Sequence, residues 1–171
     1  MKESFLAEPG KAYEESFRQY AADYEGDGFY WQFYKKGITD FDGYLEDLRN
    51  HSKGIGLPED MVTTSTYWLV CENNVVGVVR IRHEESGTAG HIGYDISPLH
   101  RNRGYGKLIL KLALEKAAEL GIEEAILTCN IENEASKKII EGNGGEYMDE
   151  IYDEEEDERL SRYKVRTHLK T

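Results

Sequence analysis

Residues 91–121, HIGYDISPLHRNRGYGKLILKLALEKAAELG, decide how the rest of the 171-residue chain is read. In order they give a strand, a short turn, a basic glycine loop and a long helix. The strand runs from His91 to Ile96 and stops at Ser97-Pro98, because proline has no N–H to give to a ladder. The helix runs from about Gly104 to Leu120, and Gly121 stands where a left-handed residue commonly ends a helix.

Between strand and helix lies Arg101-Asn102-Arg103-Gly104-Tyr105-Gly106. The first amides of a helix have no partner within it and lie at the positive end of its dipole. Glycines at 104 and 106 let the backbone come close to a bulky ligand. Arg101, Arg103 and Lys107 add three cations within seven residues of an otherwise acidic chain. Together these make an anion site of the kind phosphate occupies. The plain alternative is a tight turn with solvated arginines. The strand before the loop and the helix after it favour the phosphate reading, since that context is what such a motif requires. The loop lacks the Gly-Lys-Ser/Thr ending of a nucleotide P-loop and the G-x-G-x-x-G spacing of a dinucleotide fingerprint.

The bulk properties narrow the class. The length suits one domain with a substantial core, and a single domain over 1–171 is expected, since no linker, repeat or second core is visible. No window has the length of a membrane span, and the start MKESFLAEPG carries no apolar signal core, so a cytoplasmic location is expected. Cys71 and Cys129 lie in apolar, strand-like runs and read as buried free thiols. No Cys/His spacing suggests a metal, and none is expected. A net charge of −12 argues against nucleic acid or an anionic membrane as partner and suits a cationic substrate such as an amine. The same acidity also serves solubility alone.

Outward from the central stretch, Tyr13, Phe17, Tyr20 and Tyr24 form one face of an amphipathic helix within residues 10–24. An aromatic run, Phe29–Tyr34, follows. Asp40 is placed to N-cap a second helix with Phe41, Tyr44, Leu45 and Leu48 as its buried stripe. From Thr64 the period changes: Thr64–Cys71 and Val75–Arg82 read as a hairpin across Glu-Asn-Asn. Residues 84–90 read as a polar connection into the His91 strand. The long helix carries Lys107, Lys111, Glu115 and Glu119 in one stripe and is otherwise apolar, so it is expected to pack onto a sheet. AILTC, within Glu123–Asn130, reads as a short buried strand of the parallel kind, reached by a right-handed crossover. Asn133 caps a last helix that ends near Gly142–Gly145. Glu146–Tyr152 and Leu160–Leu169 complete the chain as strands, with an acidic connection between them.

Arg-x-x-Gly-x-Gly after a strand ending in Ile-Ser-Pro resembles the coenzyme A loop of the GNAT superfamily of N-acetyltransferases. The order of elements from Thr64 onward is similar as well. Asn130-Ile-Glu-Asn133-Glu-Ala-Ser136 resembles the family's Asn-x-x-Ala segment, and Asn143-Gly144-Gly145 stands where the family usually has Gly-Phe. Within the superfamily the wording is similar to a group of predicted acetyltransferases. The resemblance implies an α/β fold with a mixed central sheet flanked by helices, acetyl-CoA as cosubstrate, and acetylation of a primary amine of a small molecule or peptide by direct attack. It further implies that Asn102–Lys107, with Arg101, hold the pyrophosphate, and that Tyr94, Asp95 and Ile96 line the pantetheine through their backbone. Asn133 and Ser136 would assist on the same ligand.

Direct attack needs no covalent enzyme intermediate, so Cys129 reads as a packed residue rather than a nucleophile. It does need a neutral amine, a donor for the carbonyl oxygen, and some provision for the leaving thiolate. Many family members protonate the thiolate with a tyrosine of the last helix, and that position is Ile140 here. Tyr105 or Tyr147 is then the candidate donor; the alternative is unassisted departure, tolerable for a thiol of pKa about 8.5. Candidate bases are His91, Asp95 and Glu84. On a regular strand His91, Gly93 and Asp95 share one face, opposite Ile92, Tyr94 and Ile96. If the isoleucines face the core, His91 and Asp95 face the cleft or solvent, and histidine titrates near neutral pH. An ordinary strand histidine, and an aspartate closing the turn before Pro98, explain the same residues without chemistry. From the aromatic run, Tyr30 and Trp31 are candidates for the acceptor pocket, against plain core packing. The segment 149–158 has eight acidic residues in ten and reads as solvated charge, with a cation-attracting rim or a surface for a basic protein as alternatives. Ile140 keeps open a non-catalytic acyl-CoA-binding or sensor module, and the last strands leave room for a homodimer.

Overall fold

The computed structural model describes residues 3–169. Its centre is the predicted hairpin. Val, Thr and aromatic side chains put β2 (Thr64–Cys71) and β3 (Asn74–Ser86) into an antiparallel ladder. Glu72 and Asn73 make the two-residue turn with φ of 52° and 66°, the left-handed pair that matches the twist of a hairpin. β3 then pairs with β4 (Gly90–Ile96), and a short β1 (Ser4–Ala7) pairs with β2, giving a four-stranded antiparallel sheet in the order β1-β2-β3-β4. A second sheet, in the order β5-β7-β6, is built from β5 (Glu124–Asn130), β6 (Glu146–Asp153) and β7 (Glu158–Arg166).

The helices divide between the two faces of the first sheet. α1 (Glu14–Ala22), α2 (Trp31–Thr39) and α3 (Phe41–Ser52) close one face around Phe17, Tyr20, Tyr34, Tyr44 and Trp68. Phe17 stacks on Trp68 with ring centroids 4.5 Å apart. α3 begins where Asp40 was expected to cap it, its carboxylate accepting from Gly43 N at 3.0 Å. On the other face, α4 (Tyr105–Glu119) buries Ile109, Leu110, Ala113, Leu114 and Ala117 against Val79, Ile81 and Ile92 of the first sheet and Ala125 and Leu127 of the second. Its polar stripe faces outward at Lys107, Lys111 and Glu119, and Gly121 takes a φ of +87° just past its end. α5 (Glu134–Gly142) packs beside α4, with Ile140 in the core.

Several boundaries differ from the sequence reading. The aromatic run becomes α2, because burying Tyr34 while exposing Gln32 and Phe33 is a helical pattern too short to show before the fold is known. β1 is four residues long, too short to show a period, although Pro9-Gly10 punctuates its end. β3 continues through residues 84–86, so the expected connection shrinks to a turn. β5 was read as a parallel strand, but its ladder is antiparallel to β7, and its buried residues alternate. Most of the acidic segment is strand: Asp149, Glu150 and Asp153 lie on β6, Glu158 opens β7, and residues 154–157 form the turn.

Candidate active site

The glycine loop sits at the open end of β4. Gly104 caps α4 in the left-handed region at φ +84°, where a side chain would be strained, and Asn102 is also left-handed at +63°. The first bond of the helix is Leu108 N to Gly104 O at 3.3 Å, which leaves the amides of residues 105–107 without intrahelical acceptors. Arg101, Asn102, Arg103 and Gly104 are exposed. Arg101 also braces the loop, its Nε donating to Ile96 O at 3.1 Å. Gly106 also has a packing reason: a Cβ there would lie 2.6 Å from Ile139 Cδ1 of α5. The Lys107 side chain runs over Gly142 of α5, which leaves its backbone amide as its contribution at the loop. Free amides, a helix N-terminus and two exposed guanidinium groups fit a pyrophosphate.

Beside the loop, β4 and β5 face each other as the inner edges of the two sheets. Among the described residues no backbone ladder joins them. They are tied at one end, where Ile126 N donates to His91 Nδ1 at 2.8 Å and Thr128 Oγ1 donates to Thr88 O at 2.8 Å. Toward the loop they are untied. Ser97 N donates to Val76 O, and antiparallel alternation therefore turns Gly93 and Asp95 toward β3 and the Tyr94 N–H and C=O toward the gap. The Tyr94 hydroxyl is buried and has no hydrogen-bond partner among the described residues; Cys129 and Ser136 are beside it. Burial pushes its pKa up, so it stays protonated. Asn133 caps α5, its Oδ1 accepting from Ser136 N at 3.1 Å.

Two expected bases are found in other employment. His91 was expected toward the cleft or solvent, but its Nδ1 is taken by the Ile126 amide. In the neutral ring the proton is then on Nε2, and neither nitrogen is open as an acceptor. Burial lowers its pKa, with Glu85 opposing and Arg82 assisting. Asp95 is 5% exposed and lies under the helical layer. One oxygen accepts from Tyr20 OH and from Tyr24 OH (3.0 Å), the other from Tyr34 OH (2.6 Å) and Arg80 Nη2 (3.1 Å). Burial first, and then the Asp95 charge, holds Tyr20 and Tyr24 well above the ordinary tyrosine pKa. Burial opposes the Arg80 charge, but Tyr34 and Asp95 outweigh it and raise its pKa. A carboxylate accepting four hydrogen bonds has no lone pair directed at a substrate. The cluster is one that sequence spacing missed, because its members are up to 75 residues apart.

On the same face of the sheet a cavity of about 480 Å³ opens between α2, α3 and residues 58–62. Its floor includes Thr64, Thr66, Val78, Arg80 and Arg82, and its walls Phe33, Tyr34, Tyr44 and Leu48. Tyr30 and Trp31 are not among its lining. Tyr30 packs against Tyr24 at 5.1 Å, within the fields of Asp95, Arg80 and Arg101, which places it between cavity and loop. Trp31 is half-buried and makes none of the site's contacts. Of the proposed thiolate donors, Tyr147 is 57% exposed on β6 against Tyr163, and Tyr105 donates to Cys71 Sγ at 3.3 Å. Glu84 is exposed on β3. Asp149, in the acidic hairpin, forms a two-pronged pair with Arg162 at 2.8 and 2.7 Å. Cys71 and Cys129 are both free and buried. Among the described residues, no group of three or more His, Cys, Asp or Glu is arranged to hold a metal, and no helix is long and apolar enough to cross a membrane.

A family model for the acetyltransferase (GNAT) domain matches residues 17–146. Comparison with curated protein sequences finds no match. Among solved structures, the chain is similar to RimL, the ribosomal L7/L12 α-N-protein acetyltransferase in complex with coenzyme A, with 16% identity over 95% of this chain and 93% of that one and a TM-score of 0.66. It is also similar to the microcin C7 self-immunity acetyltransferase MccE in complex with acetyl-CoA and AMP (13% identity, 97% and 93% covered, TM-score 0.71). A spermidine N-acetyltransferase SpeG chimera from Vibrio cholerae is a third (13% identity, 95% and 94% covered, TM-score 0.63). At these identities the likenesses establish the fold.

Proposed function

The chain belongs to the GNAT acetyltransferase family, and on that premise we propose that it transfers the acetyl group of acetyl-CoA directly to a primary amine held in the cavity over β3. One observation carries the reading: the unpartnered amides of the Arg101–Lys107 loop adjoin the untied stretch of β4 whose Tyr94 N–H and C=O face the gap. The loop amides, Arg101 and Arg103 hold the pyrophosphate. The outward backbone of Tyr94, with Ile96 beyond it, lines the pantetheine, and Asn133 and Ser136 close the side toward α5. Asp95 belongs to this stretch by position, but its part is to fix β4 from beneath.

In the transfer a nitrogen–carbon bond forms as the carbon–sulfur bond breaks, and one proton passes from the amine to the sulfur. The Tyr94 N–H is the donor for the carbonyl oxygen as charge builds there. The Tyr94 hydroxyl takes the part that Ile140 cannot: buried and protonated, it donates a hydrogen bond to the departing sulfur. Tyr147 and Tyr105 are set aside for this, one by exposure and one by its bond to Cys71. With His91 and Asp95 both occupied, water in the open cleft takes the ammonium proton before attack and, after it, carries the nitrogen's surplus proton to the departing sulfur; Tyr30 is the aromatic wall past which the amine enters.

The acceptor is a small molecule or the end of a peptide; RimL and SpeG, on the same fold, carry names that cover both kinds. A single catalytic domain, a cytoplasmic setting consistent with two buried free thiols, and a homodimer through the free edge of β6, where Tyr147, Met148 and Tyr152 are exposed, belong to the same proposal. The test is release of free coenzyme A from acetyl-CoA over a broad amine panel. Amine-dependent release supports transfer; release with none of them, from a protein that binds acetyl-CoA, would leave only a binding module.

A further inference from the structure

Arg82 is a half-buried guanidinium without an anion. Its Nη1 donates to Ala89 O at 3.2 Å, and no carboxylate pairs with it among the described residues. Its neighbour Arg80, two residues along the same face of β3, is paired to Asp95, bonded by Tyr34 and stacked on the Phe33 ring at 5.0 Å. Burial first, and then the Arg80 charge, lowers the pKa of Arg82 to about 10. Burial and the Arg80 charge both disfavour a cation in that position, and the Ala89 carbonyl offsets them only in part. Such a group is retained at a cost to stability, and the cost is relieved when an anion arrives.

Its position says where the anion would lie. Arg80 and Arg82 both line the floor of the cavity. A Cβ added to Gly93 would meet Arg82 Nη2 at 3.3 Å, Arg82 Nη1 at 3.6 Å and Arg80 Nη2 at 3.8 Å. The two guanidinium heads therefore lie over β4 at the residue just before Tyr94. The absent side chain at 93 leaves that space to them and to whatever they bind. The rest of the cavity is largely apolar, with Phe33, Tyr44, Leu48, Met61 and Val62, and its volume is that of a small-ligand site. Three carboxylates stand on the lining, Asp47, Glu59 and Asp60; Asp47 is bound to Lys36 at 2.7 Å, and none of the three is paired with Arg82 among the described residues.

We infer that the cavity floor is an anion subsite in which Arg82 binds a carboxylate carried by the acceptor, so that the acceptor is an amino acid with an apolar side chain rather than a simple amine. This rests on the cavity being the acceptor site. The carboxylate occupies the free edge of the Arg82 guanidinium over Gly93, the apolar side chain fills the space toward α3, and the amine points along β4 to the Tyr94 amide. The proposal assigns Arg82 a specificity role and no part in the bond-making itself.

The test uses the full chain saturated with coenzyme A, so that no turnover is needed. The standard amino acids are titrated one by one against their carboxamides, read by thermal shift and calorimetry. At least one apolar amino acid is expected to bind roughly 10- to 100-fold more tightly than its amide, the worth of a charge-assisted pair. Arg82→Gln should erase that difference while leaving coenzyme A binding unchanged, and Arg82→Lys should restore part of it. Because Arg82 has no anion to lose and a glutamine amide can still donate toward Ala89 O, Arg82→Gln without ligand should melt no lower than the parent, which an arginine held in a structural ion pair would not allow. No amino acid outbinding its amide in the parent protein would overturn the inference, as would a preference that survives Arg82→Gln. Acid-selective binding without acetyl transfer would uphold this inference and sink the transfer reading; transfer that ignores the carboxylate would do the reverse.

Discussion

Two polar regions meet at the end of β4 and are built on opposite terms. The Asp95 cluster is buried, and the Asp95 carboxylate within it is paired: three tyrosine hydroxyls and one guanidinium converge on it. The Arg101–Lys107 loop is exposed and left open, with helix amides and arginines facing outward. Burial makes an unpaired polar group costly, so the first region is a fastening. Solvent makes it cheap, so the second is free to exchange water for a ligand. The same chemical groups hold the fold in one place and bind in the other, and exposure decides which.

The sharpest way to break that contrast is Asp95→Ala. It strands Arg80 as an uncompensated buried charge and leaves three hydroxyls short of an acceptor, and should cost about 3–5 kcal/mol by urea unfolding. A loss under 1 kcal/mol would mean that the cluster is not a fastening. At the loop the effect should appear in binding instead. Gly104→Glu puts bulk and negative charge among the amides at a left-handed position, and should weaken acetyl-CoA by roughly 100-fold or more, about 2.7 kcal/mol, while the melting temperature moves by a few degrees. Normal affinity in the folded variant would remove the loop from the site.

Tyr94→Phe sharpens the line between the two regions, because its hydroxyl is buried yet unpaired. Removing it should change stability by less than about 1 kcal/mol, since no more than a contact with Ser136 is lost. Turnover should fall roughly 10-fold with acetyl-CoA affinity kept, as expected for one hydrogen bond made only as the thiolate departs. Unchanged turnover would mean that the sulfur leaves unassisted.

The smallest effect belongs to His91. Its unfolded pKa is about 6.5, and burial lowers the folded value. Between those two pH values the unfolded chain takes up a proton that the folded chain refuses. The stability from this group is therefore full above about pH 6.5 and is lost as pH falls toward the folded value. His91→Gln should flatten that part of the stability curve, cost on the order of 1 kcal/mol at neutral pH for the Ile126 bond, and leave turnover nearly intact. A loss of turnover of roughly 100-fold would return His91 to the role of base.

The sequence made the exposed region legible because it is contiguous. Pro98, Gly104 and Gly121 punctuate it, and the phosphate reading needs only neighbours in the chain. The hairpin and the cap at Asp40 were legible for the same reason. The Asp95 cluster was not, since Tyr20 and Tyr24 read as the face of an amphipathic helix, Tyr34 as the end of an aromatic run and Arg80 as part of a hairpin strand until the fold stacks α1 and α2 on β3 and β4. His91 and Asp95 were correctly placed on one face of β4. That α1 and α2 cover Asp95, and that His91 is taken by the Ile126 amide of β5, depends on contacts between residues dozens of positions apart. Gly106 read as a ligand-access glycine, and its close approach to Ile139 adds a packing reason that only the fold makes visible.

The most direct measurement is a thermal-shift titration with acetyl-CoA, with coenzyme A and ATP alongside, on the parent protein and Gly104→Glu. At a hundred times its dissociation constant, acetyl-CoA should stabilise the parent by about 2.7 kcal/mol, coenzyme A comparably and ATP less, while Gly104→Glu stays unmoved. Equal shifts in parent and variant, or none with any of the three ligands, would contradict the assignment of the loop at Arg101–Lys107.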